Sequence, residues 1–167
     1  MNRFIAIISS FFLFIATSCI TENEPETLSL HPGDMCPDFS VTMNDGSIIT
    51  SSDLRGKRSV IVFFNTSCAD CREELPEIQK VYDEILTKDL PVHLLCISRA
   101  EGEESIETFW HENNLTLPYS PQEDRSVYNL FASSVIPRIY LLSPDLTITR
   151  AWSDNPMPTS REIIDCL

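Results

Sequence analysis

A continuous apolar run, Val-Ile-Val-Phe-Phe at residues 60–64, ends four residues before a close pair of cysteines in Cys68-Ala69-Asp70-Cys71. Such a run is typical of a strand that is buried on both faces of a sheet. After the pair, apolar residues recur at helical spacing and form one stripe, which consists of Leu75, Ile78, Val81, Tyr82, Ile85 and Leu86. A buried strand that leads directly into an amphipathic helix restricts the chain to α/β folds, in which helices cover a sheet.

The remainder of the chain continues this alternation. Asp45-Gly46 between two β-prone runs predicts a hairpin, and Pro76 inside the long helix predicts a kink. The further predicted elements are a strand over 92–98, helices over 103–114 and 126–131, strands over 138–142 and 146–152, and a terminal helix over 160–167. Strands that alternate with helices imply right-handed βαβ crossovers. We therefore expect an α/β domain with a central mixed β-sheet flanked by helices and an N-terminal β-hairpin extension.

The cysteine pair is placed where a thiol becomes reactive. The first turn of a helix has unpaired N–H groups and the positive end of the helix dipole, and both favour an anion such as the Cys68 thiolate. Cys71 follows one turn later and lies within reach of Cys68. This arrangement predicts thiol–disulfide exchange, in which Cys68 attacks a partner disulfide and Cys71 then releases the partner. A nearby negative charge disfavours a second one, so we expect Asp70 to bias the pair towards a reductant where its side chain faces the sulfurs.

Two residues outside the pair are candidates for the same chemistry. Glu74 follows Cys71 by about one helical turn, so it is either a group that takes the proton from Cys71 or a solvated carboxylate beside Glu73 and Glu77. Pro137 comes directly before a predicted strand, which is where a residue without an N–H group is tolerated. The pattern alone does not choose between the two interpretations of Glu74.

The first eighteen residues have the features of an export signal. Arg3 precedes an apolar run over residues 4–16, which is shorter than a typical transmembrane helix, and small residues then lead to Cys19. This pattern resembles a bacterial lipoprotein signal, in which the cysteine becomes lipid-modified. We expect a signal peptide at 1–18, an acidic tether at 19–32 and one domain at 33–167. An ordinary secretory signal or an uncleaved anchor is the alternative.

Charge and ligand spacing exclude several classes of protein. The formal net charge is −13, which would repel the phosphates of nucleic acid. Zinc needs four ligands, and the chain has no second close cysteine pair and no histidines at ligand spacing. We therefore expect a monomer without a metal or a cofactor. The three histidines, and the three cysteines other than Cys19, Cys68 and Cys71, are scattered along the sequence: His31, His93, His111, Cys36, Cys96 and Cys166.

The motifs together resemble the TlpA/ResA-like branch of the thioredoxin superfamily, which is related to the AhpC/TSA redoxins. The matching segments are residues 33–39 (Gly-Asp-Met-Cys-Pro-Asp-Phe), 45–46, 54–57, 63–76 and 135–137. The resemblance implies a thioredoxin-like fold, with Cys68 as the nucleophile, Cys71 as the resolving cysteine and Glu74 as an active-site carboxylate. It also implies that Pro137 is the cis-proline that holds a substrate backbone. Ser67 stands where the family usually has tryptophan, which changes the partner surface.

This resemblance implies a thiol–disulfide oxidoreductase on the periplasmic side of a bacterial inner or outer membrane. We expect it to reduce disulfides of exported proteins such as apocytochromes c and to be re-reduced by a membrane-bound thiol donor. A peroxidase is one alternative, but the positions that match the peroxiredoxin Pro-x-x-x-Thr-x-x-Cys motif are Ile61, Asn65 and Cys68. The other alternative is a non-catalytic anchored binding module.

Overall fold

The computed structural model describes residues 29–167, and this part of the chain contains seven strands and three α-helices. The strands are β1 (Ser40–Thr42), β2 (Ile48–Thr50), β3 (Arg58–Phe64), β4 (Val92–Ser98), β5 (Tyr119–Ser120), β6 (Arg138–Leu142) and β7 (Ile148–Trp152). The helices are α1 (Ala69–Thr87), α2 (Glu103–Glu112) and α3 (Ser160–Ile164). Two short 3₁₀ turns, Ser51–Leu54 and Tyr128–Leu130, complete the assignment.

Five strands form the central sheet in the order β5-β4-β3-β6-β7. The middle strand, β3, runs parallel to β4 and antiparallel to β6. β5 is parallel to β4, and β7 is antiparallel to β6. The prediction of a mixed sheet is therefore confirmed, and β6 and β7 form its antiparallel edge. The separate β1–β2 hairpin also forms, with Val41 opposite Ile49.

Two predictions of local structure are wrong in detail. The helix expected over 126–131 is only the 3₁₀ turn Tyr128–Leu130, whose tyrosine is held by a tertiary contact with the Phe63 ring. Strand β5 was not expected, because two residues after Pro118 are too short to give an alternating pattern. β5 pairs with β4 only at Cys96 and Ile97.

Successive residues of β3 pack against opposite layers. The Phe63 ring contacts the rings of Tyr128, Phe131 and Tyr140. The next side chain, Phe64, points to the other face of the sheet and contacts Trp110 of α2, with ring centroids 5.0 Å apart. Because strand side chains alternate between faces, this pair of neighbours shows that the sheet has a core on each side. The continuous apolar sequence of β3 is the result.

The β1–β2 hairpin also covers the β5 edge of the sheet. The Asn44 backbone N–H donates to the Tyr119 carbonyl at 2.7 Å, and the Tyr119 N–H donates to Asn44 Oδ1 at 3.1 Å. The Ser120 hydroxyl donates to the Thr42 carbonyl at 2.7 Å. The hairpin therefore supplies hydrogen-bond partners that a further strand would otherwise provide.

The described chain contacts the domain from its first residues. Ser29 forms an isolated bridge with Ala132, and the Leu30 N–H donates to the Phe131 carbonyl at 2.9 Å. The last residues of the predicted tether thus lie against the domain, whereas the predicted signal peptide and Cys19 lie outside the described residues. Among residues 29–167, no helix has the length and apolar character that crossing a bilayer requires.

Helix α1 continues through Pro76 and covers the sheet with most of the predicted apolar stripe, whereas Leu86 at the end of that stripe is exposed, which corrects the prediction there. We expect Leu75→Ala to lower the free energy of unfolding by about 2–5 kcal/mol, because Leu75 is 1% exposed and its loss leaves a cavity. Leu86→Ala on the same helix is the matched control, since that side chain is 59% exposed, and we expect a change below about 0.5 kcal/mol. Urea unfolding of both variants measures the difference. Equal losses would contradict the assignment of the buried stripe.

Candidate active site

The segment that joins β3 to α1, residues 65–68, is called the redox corner below. Cys68 is the N-cap residue of α1 and has extended backbone angles, φ −82° and ψ 124°. Its N–H donates to the Asn65 carbonyl at 3.1 Å, and its carbonyl accepts from the Arg72 N–H at 3.1 Å. Asn65 Oδ1 accepts the Ser67 N–H at 2.9 Å, which closes the turn. These contacts place the Cys68 sulfur at the positive end of the helix.

The two cysteines of the pair differ sharply in exposure. Cys68 is half-buried, whereas Cys71 is fully buried behind it, and both are free thiols. Their side chains contact each other through a hydrogen bond. Burial raises the pKa of Cys71 above its ordinary range, while a contact with the Asn65 backbone and the charge of Arg99 act in the opposite direction. The Cys68 sulfur is thus accessible to a partner, whereas the Cys71 sulfur is buried behind it.

Glu74 is buried, which excludes the interpretation of this residue as a solvated carboxylate beside Glu73 and Glu77. Its side chain occupies the apolar stripe of α1, and the residue is 2% exposed. Oε1 has no hydrogen-bond partner among the described residues. Burial, together with the nearby charge of Glu77, raises the pKa of Glu74 to about 7. An unpaired carboxyl group that titrates near neutral pH is suited to proton transfer.

The segment over residues 133–137, called the Pro137 loop below, lies against the cysteine pair. The Ile136–Pro137 peptide bond is cis, and both residues are buried. The Cys68 thiol donates to the Ile136 carbonyl, with an Sγ–O distance of 3.6 Å. The Tyr128 hydroxyl supports this loop by donating to the Val135 carbonyl at 2.8 Å. The structure therefore brings Pro137 to the cysteine pair from a distant part of the sequence.

Sequence reasoning missed two charged residues that follow β4. The carboxylate of Glu101 accepts the Thr66 N–H at 2.7 Å and also accepts the Thr66 hydroxyl, which fixes the redox corner. Arg99 donates to the Ser134 carbonyl at 2.7 Å in the Pro137 loop. Their position was the available signal, because residues just after a parallel strand lie at the edge where sites form.

The remaining cysteines of the described chain have a different character. Cys36 and Cys96 are buried free thiols, and burial raises the pKa of Cys36 to about 12. Cys166 is half-buried near the C-terminus. Among residues 29–167, no group of three or more histidine, cysteine or acidic side chains could hold a metal ion. Cys68 and Cys71 are the pair of thiols that lie together at the start of a helix.

Comparison with known proteins agrees with this geometry. The AhpC/TSA family pattern matches residues 32–151, which is well over half of the chain and includes both cysteines and Pro137. The chain belongs to the AhpC/TSA family. The fold of this family member is also that of known thioredoxin domains. The thioredoxin domain of a thiol-disulfide oxidoreductase from Bacteroides vulgatus superposes with a TM-score of 0.69 at 21% identity, covering 83% of this chain and 96% of that one.

Two relatives with similar sequences are thiol-disulfide oxidoreductases. The chain is 27% identical over 151 residues to the thiol-disulfide oxidoreductase ResA of Oceanobacillus iheyensis, covering 86% of this chain and 78% of that protein. It is 26% identical over 117 residues to ResA of Bacillus subtilis, covering 70% of this chain and 64% of that protein. This AhpC/TSA family member is a thioredoxin-fold thiol–disulfide oxidoreductase.

Proposed function

We propose that the protein reduces disulfide bonds of exported proteins through Cys68 and Cys71. The observation that carries this proposal is the placement of a half-buried cysteine at the N-terminus of α1 with a fully buried second cysteine in contact with it. An accessible first sulfur can reach the disulfide of another protein. A buried second sulfur reacts only after the first has captured its substrate.

The exchange transfers two electrons from the pair to the substrate. The Cys68 thiolate attacks one sulfur of the substrate disulfide, which forms a mixed disulfide and expels the other substrate sulfur as a thiolate. Cys71 then loses its proton and attacks Cys68 Sγ, which breaks the mixed disulfide. The products are a substrate dithiol and an oxidised Cys68–Cys71 disulfide. A second dithiol must reduce this disulfide before the next cycle.

Glu74 is proposed to accept the proton that Cys71 loses. Burial raises the pKa of Cys71, so this thiol does not ionise spontaneously at neutral pH. Glu74 lies one helical turn away, is buried, and has an unpaired oxygen and a pKa of about 7. A base of this strength can take a proton and return it near neutral pH. In the oxidation direction, the same group would protonate Cys71 as a leaving thiolate.

Pro137 is proposed to hold the substrate backbone beside Cys68. Pro137 directly precedes the first residue of β6 and has no N–H, so the backbone donates no hydrogen bond from this position beside the sulfur. The contact between Cys68 Sγ and the Ile136 carbonyl supports this role, because it places the loop within reach of an attacking group.

The cellular setting is proposed from the N-terminal sequence and the relatives. A lipid on Cys19 would anchor the domain outside the cytoplasm, on the periplasmic side of a bacterial membrane. There a membrane-bound thiol donor would re-reduce the pair, and apocytochromes c would be among the exported substrates. Incorporation of labelled palmitate that is lost in Cys19→Ala tests the anchor.

The reduction potential of the Cys68–Cys71 pair tests the direction of the reaction. We expect a value near that of thioredoxin, roughly −270 mV, because the negative charge of Asp70 stands between the two cysteines in the sequence. Equilibration with glutathione or dithiothreitol buffers, followed by mass analysis of the alkylated thiols, gives the value. A potential near that of the oxidase DsbA, about −120 mV, would contradict the reductase assignment.

The same preparation separates the proposal from its alternatives. A peroxidase would consume hydrogen peroxide in the presence of a dithiol, and a binding module would not turn over insulin disulfides under the same conditions. We expect insulin reduction and no peroxide consumption above the rate of Cys68→Ser.

A further inference from the structure

Arg99, the first residue after β4, is held against the redox corner by its backbone. Its N–H donates to the Phe64 carbonyl at 2.7 Å, at the end of β3. Its carbonyl accepts from Asn65 Nδ2 at 3.1 Å. Asn65 in turn accepts the Cys68 N–H through its own carbonyl. The position of the Arg99 main chain is thus coupled to the turn that sets the direction of Cys68.

The Arg99 side chain reaches in the other direction, to the Pro137 loop. Nη1 donates to the Ser134 carbonyl at 2.7 Å. The guanidinium also stacks over the Tyr128 ring, with Cζ 5.2 Å from the ring centroid. Tyr128 supports the same loop through its hydroxyl. One residue therefore contacts both segments that line the reactive sulfur, although these segments are about seventy positions apart in the sequence.

We propose that Arg99 is a positioning residue that joins the redox corner to the Pro137 loop and so sets where a substrate backbone lies relative to Cys68. This inference rests on the proposed reduction of protein disulfides. The contact between Cys68 Sγ and the Ile136 carbonyl, at 3.6 Å, crosses the same gap that Arg99 spans. A shift of the loop by a fraction of this distance would move the substrate disulfide out of line with the attacking sulfur.

The geometry requires the shape of arginine as well as its charge. A planar guanidinium can stack on an aromatic face while one of its edge N–H groups donates to a carbonyl. A lysine ammonium carries the same charge but has no flat face and no fixed fork. The charge of Arg99 has a separate effect, since it opposes the rise that burial causes in the pKa of Cys71. The two effects are separable by substitution.

The test compares reduction of two disulfides by the full-length chain. Insulin presents a disulfide with a polypeptide backbone that the Pro137 loop could hold, whereas the small neutral disulfide dithiodipyridine has no backbone. We expect Arg99→Met to lower kcat/KM for insulin at least about tenfold and to change the rate with dithiodipyridine less than about twofold. Arg99→Lys keeps the charge, and we expect it to remain at least about fivefold slower with insulin.

Arg150→Met is the matched control, because it removes one positive charge from β7 at a distance from the pair, and we expect wild-type rates with both disulfides. Hydrogen exchange of the Pro137 loop gives a second readout, which should be faster in Arg99→Met than in Arg150→Met. Equal losses with both disulfides, full recovery in Arg99→Lys, or unchanged insulin reduction in Arg99→Met would each overturn the inference. Wild-type protein that does not reduce insulin would instead refute the proposed function itself.

Discussion

Cys68→Ser is expected to lower the rate of insulin reduction by at least roughly 10³-fold, because it removes the nucleophile of a covalent mechanism. Cys71→Ser is expected to stop the reaction at a different point. Cys68 remains half-exposed at the start of α1 in this variant, so it can still capture a substrate sulfur. The mixed disulfide then has no resolving thiol and accumulates.

Non-reducing electrophoresis and intact-mass measurement distinguish the two variants. Cys71→Ser should give a covalent complex with the substrate that dithiothreitol separates by reduction, whereas Cys68→Ser should give none. Cys166→Ser is the control, since this half-buried thiol lies near the C-terminus, and it should retain wild-type turnover. A covalent complex formed by Cys68→Ser would show that the roles of the two sulfurs are reversed.

Glu74→Gln is expected to remove a strong pH dependence from the stability of the protein. The pKa of Glu74 is about 7 in the folded state, because the carboxyl group is buried, and its ordinary value is 4.5. Between these values the folded state keeps a proton that the unfolded state has released. The stabilisation is therefore complete below about pH 4.5 and is lost as the pH rises through about 7. The loss amounts to about 3 kcal/mol.

Urea unfolding of the reduced protein at a series of pH values measures this loss. From about pH 4 to about pH 8, the free energy of unfolding should fall by about 3 kcal/mol more in the wild type than in Glu74→Gln. The comparison of slopes cancels any constant cost of burying the amide. Parallel pH profiles would mean that the pKa of Glu74 is not raised in the folded protein.

The same variant should be slower in catalysis. If Glu74 accepts the proton of Cys71, then Glu74→Gln should prolong the mixed disulfide, and the wild-type resolution rate should rise as the pH passes about 7. A substitution that removes the destabilising charge at high pH would thus impair the reaction, which is a common relation between stability and activity at functional sites.

Sequence patterns predict the centre of this fold more closely than its edges. β4 and β6 coincide with the segments predicted for them, and β3 extends the apolar run at residues 60–64 by Arg58 and Ser59. These strands lie inside the sheet, where burial on both faces demands continuous apolar residues. The N-terminus of α1 is equally predictable, because a helix that follows a buried strand must begin within a few residues of it.

Residue patterns alone predict the site only where its residues are close in sequence, and Pro137 is connected with it through the family resemblance. Cys68, Cys71 and Glu74 share one helix, but their spacing does not reveal that Glu74 faces the core rather than water. The contribution of Arg99 depends on the Pro137 loop, which the fold brings to it from a distant segment. Pairings of this kind depend on tertiary structure, and a single sequence carries no periodic signal for them.

The hairpin contacts at β5 bear on how the protein avoids sticking to itself. β5 has two residues, so most of β4 lacks a full-length neighbour on that side. At this edge of the sheet, the side-chain amide and the backbone N–H of Asn44 form hydrogen bonds with β5 where another strand would pair. A chain whose hairpin detached would expose a template on which other polypeptides could polymerise. The β1–β2 hairpin thus protects the edge of the sheet against aggregation and is also a part of the fold.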